Sequence, residues 1–180
     1  MLPFDNSRRG RTTQIEVLNA IAHRIREISG MNDQNVVICD QPVPVAMPGG
    51  QMCISVAPHD GKFPNSSPSI MSEDSTIITS IYRISKKDRP GRAEAKLLDE
   101  QSLLAIKRLI LVKMCVEDPT LVDNSPSWEP TRTVAGSRIP LLRQPPLPIL
   151  SIGPIDVAEH PGWIGLHLHW SVLFDWDLYS

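Results

Sequence analysis

Apolar residues recur at helical spacing in two segments of the chain. In the first segment, Thr13 and Glu16 form a capping-box pair, and Gly30 stands where a left-handed residue would close a helix. Its apolar stripe consists of Ile15, Leu18, Ile21, Ala22, Ile25 and Ile28. The second segment has two adjacent apolar rows, formed by Leu97, Leu104 and Leu111 and by Leu98, Ala105, Leu109 and Val112. The spacing predicts helices over 14–29 and 93–114, and the width of the second face indicates a helix lying on a sheet.

Alternating or β-branched apolar residues predict four strands, over 35–40, 51–58, 75–87 and 163–176. The last of these, WIGLHLHWSVLFDW, has the most regular alternation. One of its faces carries Ile164, Leu166, Leu168, Trp170, Val172 and Phe174, whereas the opposite face carries His167 and His169. Turn-forming residues throughout 59–74 predict a loop between the second and third strands.

Prolines are concentrated in the region 117–159, at positions 119, 126, 130, 140, 145, 146, 148 and 154. This density argues against a helix there, yet the many aliphatic residues between the prolines need a surface on which to bury. We therefore expect a single domain over 1–180 that contains an extended Pro-rich arm at 117–159 with short strands. The basic residues at the start of the chain indicate a further, N-terminal arm at 1–11.

The composition excludes several classes of protein. Hydrophobic residues make up 41% of the chain and charged residues 21%, which is enough apolar material for a sizeable core. The formal net charge of -2 argues against a strongly basic surface that binds DNA unaided. The scattered Cys39, Cys53 and Cys115 indicate thiols in a reducing compartment, with a Cys39–Cys53 disulfide as the weaker alternative. Neither a secretory signal nor a membrane-spanning segment is expected from the pattern.

The His-x-His pair of His167 and His169 is the strongest candidate for chemistry. Two histidines on one strand face can ligate zinc, but a catalytic site needs a third protein ligand. The candidates His160, Asp175 and Asp177 are not at a recognised spacing. We interpret the pair as the polar face of a half-buried strand; a metal site and a pH-sensitive contact are the alternatives. Since phosphate-loop and nucleophile-elbow motifs are also absent from the sequence, no catalytic residue, metal ligand or cofactor is predicted.

A basic turn in the sequence KKDRPGR offers a contact site. Lys86, Lys87, Arg89 and Arg92 fall within seven positions between a predicted strand and a predicted helix. They could be solvated, pair with acidic residues of another subunit, or contact DNA through salt-sensitive phosphate interactions. We favour the subunit contact, because a chain with net charge -2 has enough carboxylates to meet these cations.

Three stretches together resemble the tail terminator and tail-completion proteins of tailed bacteriophages. TQIEVLNAIAHRIREI is similar to their opening helix, TIITSIYRISKKDRPGRAEAKLLDEQSLLAIKRLIL to their strand, turn and helix, and GWIGLHLHWSVLFDW to their closing strand. The resemblance covers residues 12–114 and 160–176. It implies an α/β (α+β) subunit with a small mixed or antiparallel sheet flanked by two helices, to which this chain adds the Pro-rich extension.

The resemblance also implies a non-enzymatic virion protein of the tail or neck, assembled in the host cytoplasm. Such subunits form a homo-hexameric ring that caps the tail tube and joins it to the neck and connector proteins. A transient contact with packaged DNA is the alternative role of the basic turn. No membrane contact is expected. Another neck or tail-adaptor protein is the nearest alternative. A small metal-dependent enzyme using His167 and His169, and a nucleic-acid-binding module using the basic turn, are alternatives of different classes.

Overall fold

The computed structural model of the chain describes residues 10–45, 52–67, 70–84, 92–121 and 124–176. Two helices and eight strands occur in these ranges. The helices are α1 (Gln14–Arg26) and α2 (Arg92–Cys115). The strands are β1 (Arg11–Thr12), β2 (Val36–Ile38), β3 (Met52–Ser67), β4 (Ile70–Ile84), β5 (Thr131–Val134), β6 (Ser137–Pro140), β7 (Leu147–Asp156) and β8 (Trp163–Trp176).

The strands form one large mixed sheet and a separate hairpin. The main sheet has six strands in the order β1-β8-β4-β3-β2, with β7 also pairing with β8, and β5 and β6 pair only with each other. Neighbours β3, β4, β8 and β7 are antiparallel, whereas β1 is parallel to β8 and β2 is parallel to β3. The prediction of a mixed sheet with two helices is confirmed, but the sheet is larger than the small one expected.

The predicted loop at 59–74 was wrong, because β3 extends to Ser67 and β4 begins at Ile70, and the two strands pair along this range. Gly61 pairs with Ser75 and Lys62 with Asp74, after a register shift that begins at Pro58. A second shift lies between Lys62 and Asn65. Bulges of this kind accommodate proline and glycine without ending a strand, so residues that usually form turns were absorbed into the two strands.

The core lies between one face of the main sheet and the two helices. All six apolar residues predicted for one face of β8, from Ile164 to Phe174, are buried there. Helix α1 begins after the predicted capping box, in which the Thr13 side chain accepts from the Glu16 amide and Glu16 accepts from the Thr13 amide. Its predicted stripe is confirmed except for Ile15, which is 53% exposed, while Val17 is fully buried.

Helix α2 has the predicted extent, but the face that it turns to the core was predicted wrongly. Leu103, Ile110 and Met114 are fully buried, whereas Leu104, Leu109 and Val112 are exposed. Aliphatic residues occur on almost every side of this helix, so its periodicity does not determine which side contacts the sheet.

The predicted Pro-rich extension at 117–159 is not confirmed. In the described part of this region, β5 and β6 form a hairpin whose Ile139 is buried, and β7 pairs with β8 in the main sheet. The prolines at 148 and 154 lie within β7 at the edge of the sheet, where a missing backbone donor is tolerated. Of the N-terminal arm, Arg8 and Arg9 lie outside the described residues, and Arg11 starts β1, which pairs with β8.

Candidate subunit interface

Strand β7 forms an exposed edge of the main sheet. One side of β7 pairs with β8, and no strand pairs with its other side among the described residues. Five aliphatic side chains of this strand are between 39% and 56% exposed: Leu147, Ile149, Leu150, Ile152 and Ile155. We call these five residues the edge-strand surface.

The edge-strand surface faces away from the helices. Leu150 pairs with His169, and Ile152 pairs with His167, so these side chains lie on the histidine face of the sheet. The alternate residues of β8, including Leu166 and Leu168, point into the helix-covered core. The exposed aliphatic row therefore lies on the side of the subunit opposite to α1 and α2.

Such an edge is a template for association with another chain. A long, apolar edge strand with unpaired backbone groups is normally protected by charges, prolines or bulges. In β7, Pro148 and Pro154 remove two donors, and Asp156 at its end is the one charged residue. This protection limits backbone pairing but leaves the aliphatic side chains open to contact.

Helix α2 carries a second exposed apolar surface. Leu104 is 45%, Leu109 52% and Val112 43% exposed. Leu109 and Val112 are three positions apart and are neighbours on the helix, and Leu104 lies on the same outward half, away from the buried Leu103 and Ile110. We call these three exposed residues the α2 stripe. Arg108 is exposed and lies one turn from both Leu104 and Val112. The α2 stripe therefore combines aliphatic side chains with one central cation.

A small cavity adjoins the edge-strand surface on the histidine face. Its volume is about 270 Å³, and it is lined by Asp60, Lys62, Asp74, Thr76, Ile149 and Ser171. The Ser171 hydroxyl donates to Asp74 at 3.0 Å, which holds this carboxylate in place. With two carboxylates and one ammonium group, the cavity has an excess of negative charge. We call it the acidic cavity.

His167 and His169 lie on one sheet face, as predicted, and both are half-buried. The Nδ1 atom of His167 shares a 2.7 Å hydrogen bond with Ser80, and its ring packs edge-on against Tyr82 at a centroid distance of 5.7 Å. His169 packs edge-on against His59 at 5.8 Å. Burial and the neighbouring His169 lower the pKa of His167, and burial and His59 lower the pKa of His169.

The third-ligand candidates do not complete a metal site with these histidines. Asp175 is engaged elsewhere, since it accepts from Ser72 at 2.6 Å and from Arg143 at 2.9 Å. His160 belongs to the turn before β8, and Asp177 lies outside the described residues. Within the described ranges, no group of three or more histidine, cysteine, aspartate or glutamate side chains is arranged to hold a metal ion.

The basic turn lies almost wholly outside the described residues. Lys86, Lys87 and Arg89 are in the undescribed range 85–91, and the side chain of Arg92 at the start of α2 is not described either. The subunit or DNA contact assigned to this turn therefore stays a prediction. Cys39, Cys53 and Cys115 are free thiols.

Sequence reasoning identified neither the edge-strand surface nor the α2 stripe. The aliphatic residues of LPILSIGPID were expected to need a surface, but the prolines in and before this segment concealed that it is a strand beside β8. One signal in the sequence could have revealed the two surfaces. This strand and α2 both contain more aliphatic residues than one buried face can hold. A chain with more aliphatic faces than its own core can cover is expected to bury the rest against a partner.

Comparison with protein-family models and with curated proteins gives no relative on which to base a function. No protein-family model matches the chain, and no curated protein matches it. Within the described residues, neither helix combines the length and apolar character needed to cross a membrane. Functional inference therefore depends on the surfaces of this chain and on the resemblance seen in its sequence.

Acidification is expected to destabilise the fold through His167 and His169. Their pKa values are lowered from 6.5 in the folded state, so the unfolded chain binds protons more readily. The two histidines therefore leave the free energy of unfolding at its full value above pH 6.5, where both imidazoles are neutral. This contribution is lost as the pH falls through the folded-state pKa values. Urea unfolding at pH 7.5 and pH 5 measures this loss, which should be smaller in a His167→Gln, His169→Gln double variant. His23→Gln, at a side chain that is 78% exposed, is the control, and an equal loss in all three proteins contradicts the prediction.

Proposed function

We propose that the protein is a structural virion protein of a tailed phage, a tail terminator whose subunits form a ring. The ring caps the tail tube and joins it to the neck and connector proteins. The observation that carries the proposal is the edge-strand surface, because an uncovered aliphatic edge strand suits a subunit of an assembly. The resemblance of the opening helix, the strand-turn-helix unit and the closing strand to tail terminators supplies the type of assembly.

A role without catalysis agrees with the chemistry of the described residues. His167 is held by Ser80 and Tyr82, and Asp175 is held by Ser72 and Arg143. These side chains have contacts that a structural role requires. A metal-dependent enzyme built on His167 and His169 is the alternative of another class. Stoichiometric zinc or iron in the purified chain, lost in the His167→Ala, His169→Ala double variant, would establish that alternative.

Assembly of the isolated chain tests the proposal first. Native mass spectrometry and light scattering should find a closed ring, with the hexamer at about 120 kDa, which is six times the subunit mass of 20.0 kDa. Electron microscopy should then show the ring at one end of assembled tail tubes. A chain that stays monomeric at concentrations of tens of micromolar, on the order of ordinary weak protein affinities, contradicts the proposal.

The binding site on the particle separates the terminator from the nearest alternative. A terminator should bind the end of a bare tail tube. Another neck or tail-adaptor protein should instead bind only an assembled neck complex. Mixing the purified ring with bare tubes and with headless neck complexes distinguishes these roles. The basic turn is a further part of the proposal, and we favour its contact with acidic residues of a neighbouring subunit. Changing Lys86, Lys87, Arg89 and Arg92 to serine should then weaken ring formation, most of all at low salt. If the turn instead faces the channel, the same change should leave the ring intact and alter DNA retention.

A further inference from the structure

We propose that the α2 stripe of one copy docks on the edge-strand surface of the next copy, in a repeated head-to-tail contact. This inference rests on the proposed function, because it supplies the contact that would build the ring. Its partner is a second copy of this chain. Three properties of the two surfaces support the assignment: their positions, their charges and their areas.

The two surfaces lie on opposite sides of the subunit. Helix α2 covers one face of the sheet, and its stripe points outward from that side, because Leu103, Ile110 and Met114 occupy the inward side. The edge-strand surface belongs to the other face, beside His167 and His169. A contact between unlike surfaces on opposite sides repeats from copy to copy, and it closes into a ring when the rotation permits.

The charges of the two surfaces are complementary. Arg108 lies in the middle of the α2 stripe, and the acidic cavity beside Ile149 contains Asp60 and Asp74. Lys62 also lines this cavity, so one positive charge offsets one of the two carboxylates. An arginine guanidinium entering the cavity would neutralise the remaining negative charge and place the aliphatic side chains of the stripe on those of β7.

The exposed apolar area of the two surfaces amounts to most of the apolar area in an interface of ordinary size. A half-exposed aliphatic side chain leaves on the order of 80 Å² open, so the eight members of the two surfaces leave roughly 600 Å². A standard interface of about 1,600 Å² contains about 900 Å² of apolar area. A symmetric contact of β7 with β7 would also bury aliphatic area, but it would leave the α2 stripe and Arg108 uncovered.

Complementation between two defective variants tests the head-to-tail contact. Leu109→Glu places a charge in the α2 stripe, and Leu150→Glu places one in the edge-strand surface; both residues are about half exposed, so both chains should fold. Each variant alone should be monomeric in native mass spectrometry. An equimolar mixture should form a one-to-one dimer of about 40 kDa, twice 20.0 kDa, because one intact surface of each kind remains.

Ile15→Glu is the matched control, since Ile15 is 53% exposed on α1 and belongs to neither surface. It should assemble like the wild type. Circular dichroism verifies that each variant is folded. A dimer formed by Leu109→Glu alone, a mixture that stays monomeric, or rings formed by both single variants would overturn the head-to-tail contact. If both single variants form rings, the wild-type ring would still support the proposed function. A monomeric wild type would contradict both the head-to-tail contact and the proposed function.

Charge reversal tests the part played by Arg108. Arg108→Asp should weaken assembly by about tenfold or more, because an aspartate would face Asp60 and Asp74 of the neighbour. Adding Asp60→Arg to the same chain should restore most of the loss; the Asp60 side chain is 78% exposed, so the change is tolerated by the fold. Assembly unchanged by Arg108→Asp, or a double variant that is no better than the single one, would contradict this pairing.

Discussion

Replacing Leu103 with aspartate is expected to prevent folding, whereas the same change at the adjacent Leu104 should leave a folded chain. Leu103 is fully buried between α2 and the rest of the core, and Leu104 is 45% exposed. An unpaired carboxylate in the core costs several kcal/mol, a large part of the roughly 5–15 kcal/mol that stabilises a typical domain. Soluble yield and circular dichroism of the two variants measure the difference.

Alanine substitutions give the same comparison without a new charge. Leu103→Ala should lower the free energy of unfolding by about 2–5 kcal/mol, and Leu104→Ala by less than about 1 kcal/mol. Because Leu104 belongs to the α2 stripe, its variants should be compared at dilutions where no assembly forms. Equal losses at the two positions would show that α2 is rotated relative to the orientation described above.

The sequence was sufficient to predict elements whose signals are local. The Thr13 and Glu16 side chains meet within one helical turn, so the start of α1 followed from their spacing. In β8, the residues from Ile164 to Val172 alternate between apolar and polar or small side chains, and this period of two correctly placed Leu166 and Trp170 in the core. Both patterns are complete within a single element and do not depend on its neighbours.

Features that depend on distant parts of the chain were not predictable in this way. The rotation of α2 is set by which aliphatic side chains fit against α1 and the sheet, and the helix has such residues on almost every side. The strand character of β7 comes from its register with β8, which pairs Leu150 with His169. The candidate interface combines both features, and this is why the sequence pattern revealed neither of its surfaces.

Arg24 is a buried side chain whose role the sequence did not indicate. It is 8% exposed on α1, and its guanidinium donates to the carbonyl oxygens of Lys113, Val116 and Glu117 at 2.6 to 3.0 Å. The Lys113 carbonyl is one of the last four of α2, which have no partner within the helix, and Val116 and Glu117 directly follow the helix. The three bonds therefore hold the C-terminal end of α2 against α1. Arg24 also bonds Glu27 at 2.9 Å and lies over the ring of Trp128 at 5.4 Å.

Replacing Arg24 with methionine is therefore expected to lower the free energy of unfolding by about 3 kcal/mol. The substitution keeps most of the apolar stem but leaves three carbonyl oxygens without their donor. Arg24→Lys should lower the free energy of unfolding less than Arg24→Met does, because the ammonium group retains a charged donor. Some loss is still expected, since an ammonium group lacks the planar fork with which arginine reaches all three oxygens. Urea unfolding measures both losses, and Asn19→Ala, at an exposed position of the same helix, is the control.

The acid limb of the unfolding profile provides a second measurement on the same variant. Burial raises the pKa of Glu27, but bonds from Lys113 and Arg24 outweigh it and lower the pKa below the ordinary 4.5. The stability contributed by Glu27 is thus present above pH 4.5 and is lost as the pH falls through the folded-state pKa. Without Arg24 the pKa is lowered less, so Arg24→Met should lose less additional stability between pH 5 and pH 3 than the wild type. If Arg24→Met has the same unfolding midpoint as the wild type at pH 7, the bonds from Arg24 to the end of α2 do not stabilise the fold. That result would contradict the coupling of the two helices through this side chain.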